Sequence, residues 1–340
     1  VKIATAKAFF VLMVVILTTF FISGLHSIFF IELPSSKKPL IFYSNQTHTS
    51  LKSVFLKACK ECKRSLIIHT FALTDLQTLK RLKSLAKDGI YLKILSDQRN
   101  LPHFYSDLKN TLKWQSIKTS GLMHQKVLLV DDSLSFLGTA NMTYESMKMH
   151  DNVVIGIFSE QLNTYLKDYT EKIPLKRAKK NTQPQLFSIN NQTLELWMLP
   201  FKGTKPLERL LELIEQATRS IDISIFTLTH PKILSSLKNA SDRGVKVCVY
   251  LDKTSSQGAS SKALEYLKNS SIEVKISQGI QLLHHKMMMI DGKYFILGSA
   301  NWTKSAFEKN HDFFLVLAPL SPYEKKQILS IFKAIKKESK

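Results

Sequence analysis

Two stretches of this 340-residue chain repeat one set of chemically capable side chains at one set of spacings. Residues 124–143 read HQKVLLVDDSLSFLGTANMT, and residues 284–303 read HHKMMMIDGKYFILGSANWT. Both fit His-x-Lys-x4-Asp-x6-Gly-[Ser/Thr]-Ala-Asn. A lone His-x-Lys carries no information, but the full pattern written twice does. Residues two apart on a strand share a face, so His124 projects with Lys126 and His284 with Lys286. Asn141 and Asn301 follow just beyond the next apolar run. Brought together, two imidazoles, two ammonium groups and two amides would hold a phosphate. The lysines neutralise its charge, while the amides and the hydroxyls of Thr139 and Ser299 donate hydrogen bonds. One neutral imidazole can attack phosphorus while the other, protonated, donates to the leaving oxygen. The chemistry so predicted is phosphodiester cleavage needing no metal and no other cofactor.

Each histidine needs an acceptor on its far ring nitrogen. Asp151 and Asp312 are the candidates, in MHDNVV and NHDFFL at the head of the next strand. Asp131 and Asp291 lie an odd number of residues past the histidines and face away, so they read as turn and scaffold acids. His285 lacks the lysine two residues on and reads as accessory. His69, His103, His150 and His311 lie outside the matched pattern. Cys59, Cys62 and Cys248 read as packing residues, since no second pair completes a zinc site.

The repetition extends well beyond the motifs. Arg64–Thr74 aligns with Arg219–Thr229, Asp88-Gly89 with Arg243-Gly244, and Asp97 with Asp252, all at an offset of 155. His124 and His284 are 160 apart, so the second copy carries five extra residues between these landmarks. Each copy reads helix (51–63; 206–218), strand (66–73; 221–228), helix (76–87; 231–242), strand (90–95; 245–251). Two further strands then bracket a tight turn, Asp131-Asp132-Ser133 in one copy and Asp291-Gly292 in the other. A closing helix follows, which in the second copy has Ser321 as N-cap and Pro322 at its first position. Helices alternating with short β-rich runs predict a two-lobed, pseudo-twofold α/β sandwich with mixed sheets. The expected divisions are a first repeat at 40–171, a linker at 172–200 and a second repeat at 201–340. Matched residues from the two halves would form one site, active within a monomer.

Both motif segments resemble the HKD motifs of the phospholipase D superfamily, and the resemblance covers nearly everything from residue 40 onward. It implies that family's two-lobed fold and a phosphohistidine intermediate formed without metal. By position, His124 and His284 would be nucleophile and general acid, with Lys126, Lys286, Asn141 and Asn301 as phosphate ligands. Many relatives carry Glu after the motif, where this chain has Asp151 and Asp312. The short, insertion-free repeats resemble the superfamily's compact endonucleases and cardiolipin hydrolases.

Charge and the N-terminus bear on the substrate. Lys and Arg number 48 against 27 Asp and Glu, giving +21, and 44% of residues are apolar, which excludes a wholly disordered chain. Such an excess attracts anions, whether a membrane surface or a nucleic acid. Residues 8–24, AFFVLMVVILTTFFISG, carry no charge and follow Lys2 and Lys7. Residues 1–33 therefore read as a transmembrane signal anchor, with a cleaved signal peptide as the other reading. Either puts the catalytic part on the exported side, anchored or secreted. Hydrolysis of phospholipid head-group diesters is the favoured reading. A metal-independent endonuclease acting on DNA or RNA is the alternative, followed by cardiolipin-synthase-like phosphatidyl transfer and a non-catalytic anion-binding scaffold.

Overall fold

The structure is a computed structural model and describes residues 31–47, 49–174 and 183–340. The expected N-terminal span lies almost wholly outside these residues. Among the described residues, no helix is long and apolar enough to cross a membrane. Pro34–Lys340 forms one compact unit.

The first repeat runs β1 (Leu40–Ser44), α1 (Leu51–Glu61), β2 (Ser65–Thr70), α2 (Leu76–Lys87), β3 (Tyr91–Asp97), a short α3 (Tyr105–Leu108) and β4 (Trp114–Ile117). It continues with β5 (Val127–Val130), β6 (Leu134–Gly138), α4 (Tyr144–Lys148), β7 (Val153–Phe158) and α5 (Glu160–Lys172). The second runs β8 (Gln185–Ile189), β9 (Gln192–Met198), α6 (Lys205–Glu215), β10 (Ser220–Ile225), α7 (Pro231–Asp242) and β11 (Lys246–Leu251). There follow α8 (Lys253–Gln257), α9 (Ser261–Lys268), β12 (Glu273–Ile276), β13 (Lys286–Ile290), β14 (Tyr294–Gly298), α10 (Lys304–Glu308), β15 (Phe313–Ala318) and α11 (Pro322–Lys337). The five extra residues of this copy fall between Asp252 and His284, where α8 and α9 replace a looser segment.

Two mixed sheets result, ordered β1-β7-β6-β5-β2-β3-β4 and β12-β11-β10-β13-β14-β15-β9-β8. Read from β9, the second sheet repeats the order of the first. The segment 172–200, expected to be a linker, is corrected here: it contains the hairpin β8–β9, and β9 pairs antiparallel with β15 as β1 pairs with β7. Its Asn- and Gln-rich composition concealed a period-2 pattern. Phe187, Ile189, Leu194 and Leu196 are buried on one side, and Asn190 makes the turn at φ 54°. The basic cluster Lys176-Arg177 with Lys179-Lys180 lies outside the described residues.

The core positions the site. β5 and β13, VLLV and KMMMI, are buried on both faces, which is why they read as unbroken apolar runs rather than alternating ones. One apolar cluster joins both sheets to α5 and α11, with Phe42 edge-on to Phe295 at 5.3 Å. A second fills the space between the second sheet and α6 and α7. The closing helix α11 starts at a full capping box, Ser321 with Glu324.

The motif glycines serve packing rather than chemistry. A Cβ on Gly138 would collide with the Val153 carbonyl, and one on Gly298 with the Phe313 carbonyl. Those carbonyls belong to the strands paired beside them and cannot swing aside. Gly138→Ala and Gly298→Ala are each expected to destabilise the fold by about 1–3 kcal/mol, read by chemical denaturation. A change within about 0.5 kcal/mol, the scale of a neutral surface substitution, would contradict the close-packing account.

Candidate active site

The two repeats exchange backbone hydrogen bonds just ahead of each histidine. Met123 bridges His311, with His124 N donating to His311 O at 2.8 Å. Leu283 bridges Asp151, with His284 N donating to Asp151 O at 2.9 Å. Each pair is the other shifted by 160 residues, the reciprocity of a twofold relation. A pair of buried carboxylates pegs the same segments. Asp97 Oδ2 accepts from Met123 N at 2.8 Å, and Asp252 Oδ2 from Leu283 N at 3.0 Å. Their other oxygens cap the turns at Arg99 N and Ser255 N. Sequence comparison had aligned Asp97 with Asp252 only as landmarks of the repeat.

His124 and His284 are both buried, as are Lys126 and Lys286. Each lysine donates to the carbonyl of its own histidine, at 2.5 Å for Lys126 and 2.8 Å for Lys286. Each also lies over a phenylalanine ring, Phe71 at 5.7 Å and Phe226 at 5.1 Å. The same rings pack on the histidines, at 5.4 Å for Phe71–His124 and 5.1 Å for Phe226–His284. These aromatics belong to the site, and their only signal in the sequence was a phenylalanine kept in both copies where β2 and β10 end.

The far nitrogens of the histidines meet unlike partners, each from the opposite repeat. His124 Nδ1 lies 2.8 Å from Asp312 Oδ1. The same carboxylate takes Ser299 Oγ at 2.6 Å and Asn310 Nδ2 at 3.2 Å. His284 Nδ1 lies 3.0 Å from Asn152 Oδ1, not from Asp151. Asn152 Nδ2 donates to Ser146 O at 2.8 Å, which turns its oxygen toward His284 and Thr139. The expectation for Asp151 is thus corrected. Shifting Asp312 by 160 residues lands on Asn152; aligning the two His-Asp pairs slipped the register by one. Asp151 instead contributes its backbone. Burial, followed by Glu338 and Asp252, pushes its carboxyl up to about 7.

Thr139 and Ser299 also differ from expectation. Both are fully buried, and their hydroxyls bond Asn152 Oδ1 and Asp312 Oδ1 rather than facing the cavity. Asn141 and Asn301 are half-buried, and each has a buried amide oxygen with no hydrogen-bond partner. Asp131 and Asp291 turn away from the site. Asp131 accepts from the backbone of Lys63, Arg64 and Ser65, and Asp291 from Thr218, Arg219 and Ser220. Each holds the turn after its helix, itself at positive φ. His285 bonds Ser224 at 3.1 Å. In the first repeat that pair is reversed, with His69 facing Gln125 at 3.0 Å. His150, set outside the pattern in sequence, packs 6.4 Å from the His284 ring.

Electrostatics separate the histidines. Burial and then Lys126 lower the basicity of His124, with Asp312 acting against them. His284 has no carboxylate behind it; burial, Lys286, Lys126 and His124 all push it well below its usual value. Burial raises Asp312, but His124, Lys126 and Ser299 outweigh it and hold the carboxyl below its usual range. An ionised carboxylate can only accept, so His124 carries its proton on Nδ1 and presents Nε2 as a lone pair. Burial also brings Lys126 down to about 7, opposed by Asp312 and Asp97. Lys286 is lowered strongly by burial and by Lys126. Among the described residues, no cluster of His, Cys, Asp and Glu is arranged to hold a metal ion.

Comparison with known proteins shows the family. The model of the family described as "Cardiolipin synthase, PLD-like domain" matches residues 55–173 and 210–335, one match to each repeat. The chain belongs to this family, within the phospholipase D superfamily. It is 30% identical over 112 residues to a mitochondrial cardiolipin hydrolase of Chlamydomonas reinhardtii, covering 33% of this chain and 50% of that protein. It is 36% identical over 101 residues to a phospholipase D of Rickettsia prowazekii, covering 30% and 49%. The chain thus spans about half the length of these curated relatives. The crystal structure of a phosphatidylserine synthase from Haemophilus influenzae superposes with TM-score 0.73 at 13% identity, covering 91% of this chain and 88% of that one, a likeness of fold.

Asp97 acts on Lys126 through its charge, besides accepting the hydrogen bond from Met123 N. Asp97→Asn removes a negative group that favours the ammonium, so the Lys126 midpoint should fall below about 7 in an NMR titration of its Nζ. An unchanged or raised midpoint would refute the electrostatic role of Asp97.

Proposed function

We propose that this chain hydrolyses phospholipid head-group phosphodiesters through a phosphohistidine on His124. The observation that carries the proposal is the unlike backing of two facing histidines, a carboxylate behind one and an amide behind the other, beside two buried lysines. The names of the cardiolipin hydrolase and phospholipase D relatives support the choice of phospholipid.

The diester anion enters between Lys126 and Lys286, and its charge favours the protonated forms that burial disfavours there. Asn141 and Asn301 supply amides to its oxygens. His124 Nε2 attacks phosphorus. As the P–N bond forms, the ring becomes cationic, and Asp312 stabilises that charge. The P–O bond to the head-group alcohol breaks, and His284 Nε2–H gives the leaving oxygen its proton. Neutral His284 then takes a proton from water, whose oxygen displaces the imidazole from phosphorus. The product is a phosphatidic acid, and both histidines return to their starting state. Asn152 suits the acid role: its carbonyl orients either protonation state of His284 without fixing the ring as a cation.

Residues 1–33 would anchor this unit to the membrane that supplies the substrate, with the site complete in a single chain on the exported side. The net charge of +21 also suits a polynucleotide, so the deciding experiment offers labelled phospholipids and single-stranded DNA side by side. The expected result is release of head group alone. His124→Ala and His284→Ala should each lower turnover by at least about 10²-fold, and EDTA should leave it unchanged. With an activated p-nitrophenyl diester, His284→Ala should still trap base-stable phosphoenzyme and His124→Ala should trap none. Label trapped on His124→Ala, or a requirement for divalent ions, would sink the mechanism.

A further inference from the structure

The twofold relation allows the rims of the site to be compared position by position at the offset of 160. On one rim stand three exposed apolar side chains: Tyr144 at 51%, Met149 at 43% and Ile280 at 100% of full exposure. Their counterparts on the other rim are Lys304, Lys309 and Ser120, all exposed, with Lys304 paired to Glu308 at 3.9 Å; Glu308 in turn answers Lys148 on the first rim, where the Tyr144 ring lies 5.2 Å from Lys52 Nζ. The apolar three belong together. Tyr144 begins α4 and Met149 caps its end. Asp151 N, two residues on, bonds Leu282 O at 2.9 Å, which ties this turn to the loop carrying Ile280. Both chains lead directly to His284. On the opposite rim Lys309 adjoins Asn310, whose amide holds Asp312 behind His124, and Lys118 is exposed two residues before Ser120.

A single exposed isoleucine needs no explanation, but three apolar residues replacing two lysines and a serine across a twofold do. A polynucleotide carries phosphate on both sides of the bond to be cut and would favour basic residues on both rims. A lipid surface is layered, with acyl chains beneath and head groups, many of them anionic, above. We propose that the site opens onto a lipid surface through an apolar lip, Tyr144, Met149 and Ile280, that enters the boundary between acyl chains and head groups. The facing lip, Lys304 and Lys309, meets anionic head groups. This rests on the phospholipid reading above and adds the surface by which the site meets the membrane that holds its substrate.

The lip side chains touch no reacting atom, so a soluble diester separates docking from chemistry. The full chain is reconstituted in phosphatidylcholine vesicles doped with phosphatidylglycerol, and lipid turnover is measured beside turnover of bis(p-nitrophenyl) phosphate. Met149→Asp and Ile280→Asp should each lower lipid turnover about tenfold, since each puts a charge where an exposed apolar side chain would enter the lipid. Turnover of the soluble diester should stay at the wild-type level, which also reports an intact fold. Lys304→Glu with Lys309→Glu should slow turnover in the doped vesicles by roughly fivefold or more per lysine, and not in pure phosphatidylcholine. Wild-type lipid turnover in Met149→Asp and Ile280→Asp overturns the lip and leaves the phospholipid reading standing. A wild-type chain that cleaves single-stranded DNA and no lipid overturns both.

Discussion

Each histidine of the site is oriented by a residue of the other repeat, and the rest of the molecule is arranged to keep that exchange in register. Asp312 reaches His124 across the repeats and Asn152 reaches His284, over contacts of 2.8 and 3.0 Å. Such contacts survive only if the two sheets cannot slide past one another. The apolar layer shared by β5, β6 and β7 with β13, β14 and β15 prevents sliding, because close-packed interiors resist small shifts. The reciprocal bridges at Met123 and Leu283, pegged by Asp97 and Asp252, carry that rigidity to the residue before each histidine.

Within this reciprocal frame the proposed chemistry depends on asymmetry. Identical backing would leave the two imidazoles with similar proton affinities, and a site needing one base and one acid would gain nothing from the pair. Exchanging a carboxylate for an amide changes one formal charge and almost no volume, so the frame is undisturbed while the histidines become distinct. The surrounding hydroxyls follow the exchange. Ser299 and Thr139 occupy matched positions and bond Asp312 and Asn152 in the same manner. The second asymmetry lies at the rim, where lysines face apolar residues across the same twofold.

The large positive charge acquires a narrower meaning. Lys126 and Lys286 are buried together beside two histidines, and burial first, then positive neighbours, lowers the proton affinity of Lys286 and His284. In the proposed mechanism an anionic substrate offsets that effect, so that binding and activation of the acid become one event. The remaining lysines lie mostly on the surface and act at longer range, screened by salt.

The sequence by itself determined the repeat, the motif and much of the secondary structure. The helices at 76–87 and 231–242 were legible to the residue, and so were the tight turns at Asp131 and Asp291, because caps, turn chemistry and apolar period are local properties. The β8–β9 hairpin was equally local, but its alternation lay beneath a polar composition. Period-2 alternation also placed His124 with Lys126 and His284 with Lys286. What alternation cannot tell is which side chain of a distant segment a given face will meet. Asp151 and Asn152 are neighbours on one strand end and differ in sequence by one step; only the pairing of Asp151 with Leu283 decides that Asn152 faces His284. The partners of Thr139 and Ser299, the stacking of Phe71 and Phe226, and the unlike rims follow from the same cause. They are contacts between segments far apart in the chain, settled by how two sheets pack rather than by any residue's own preference.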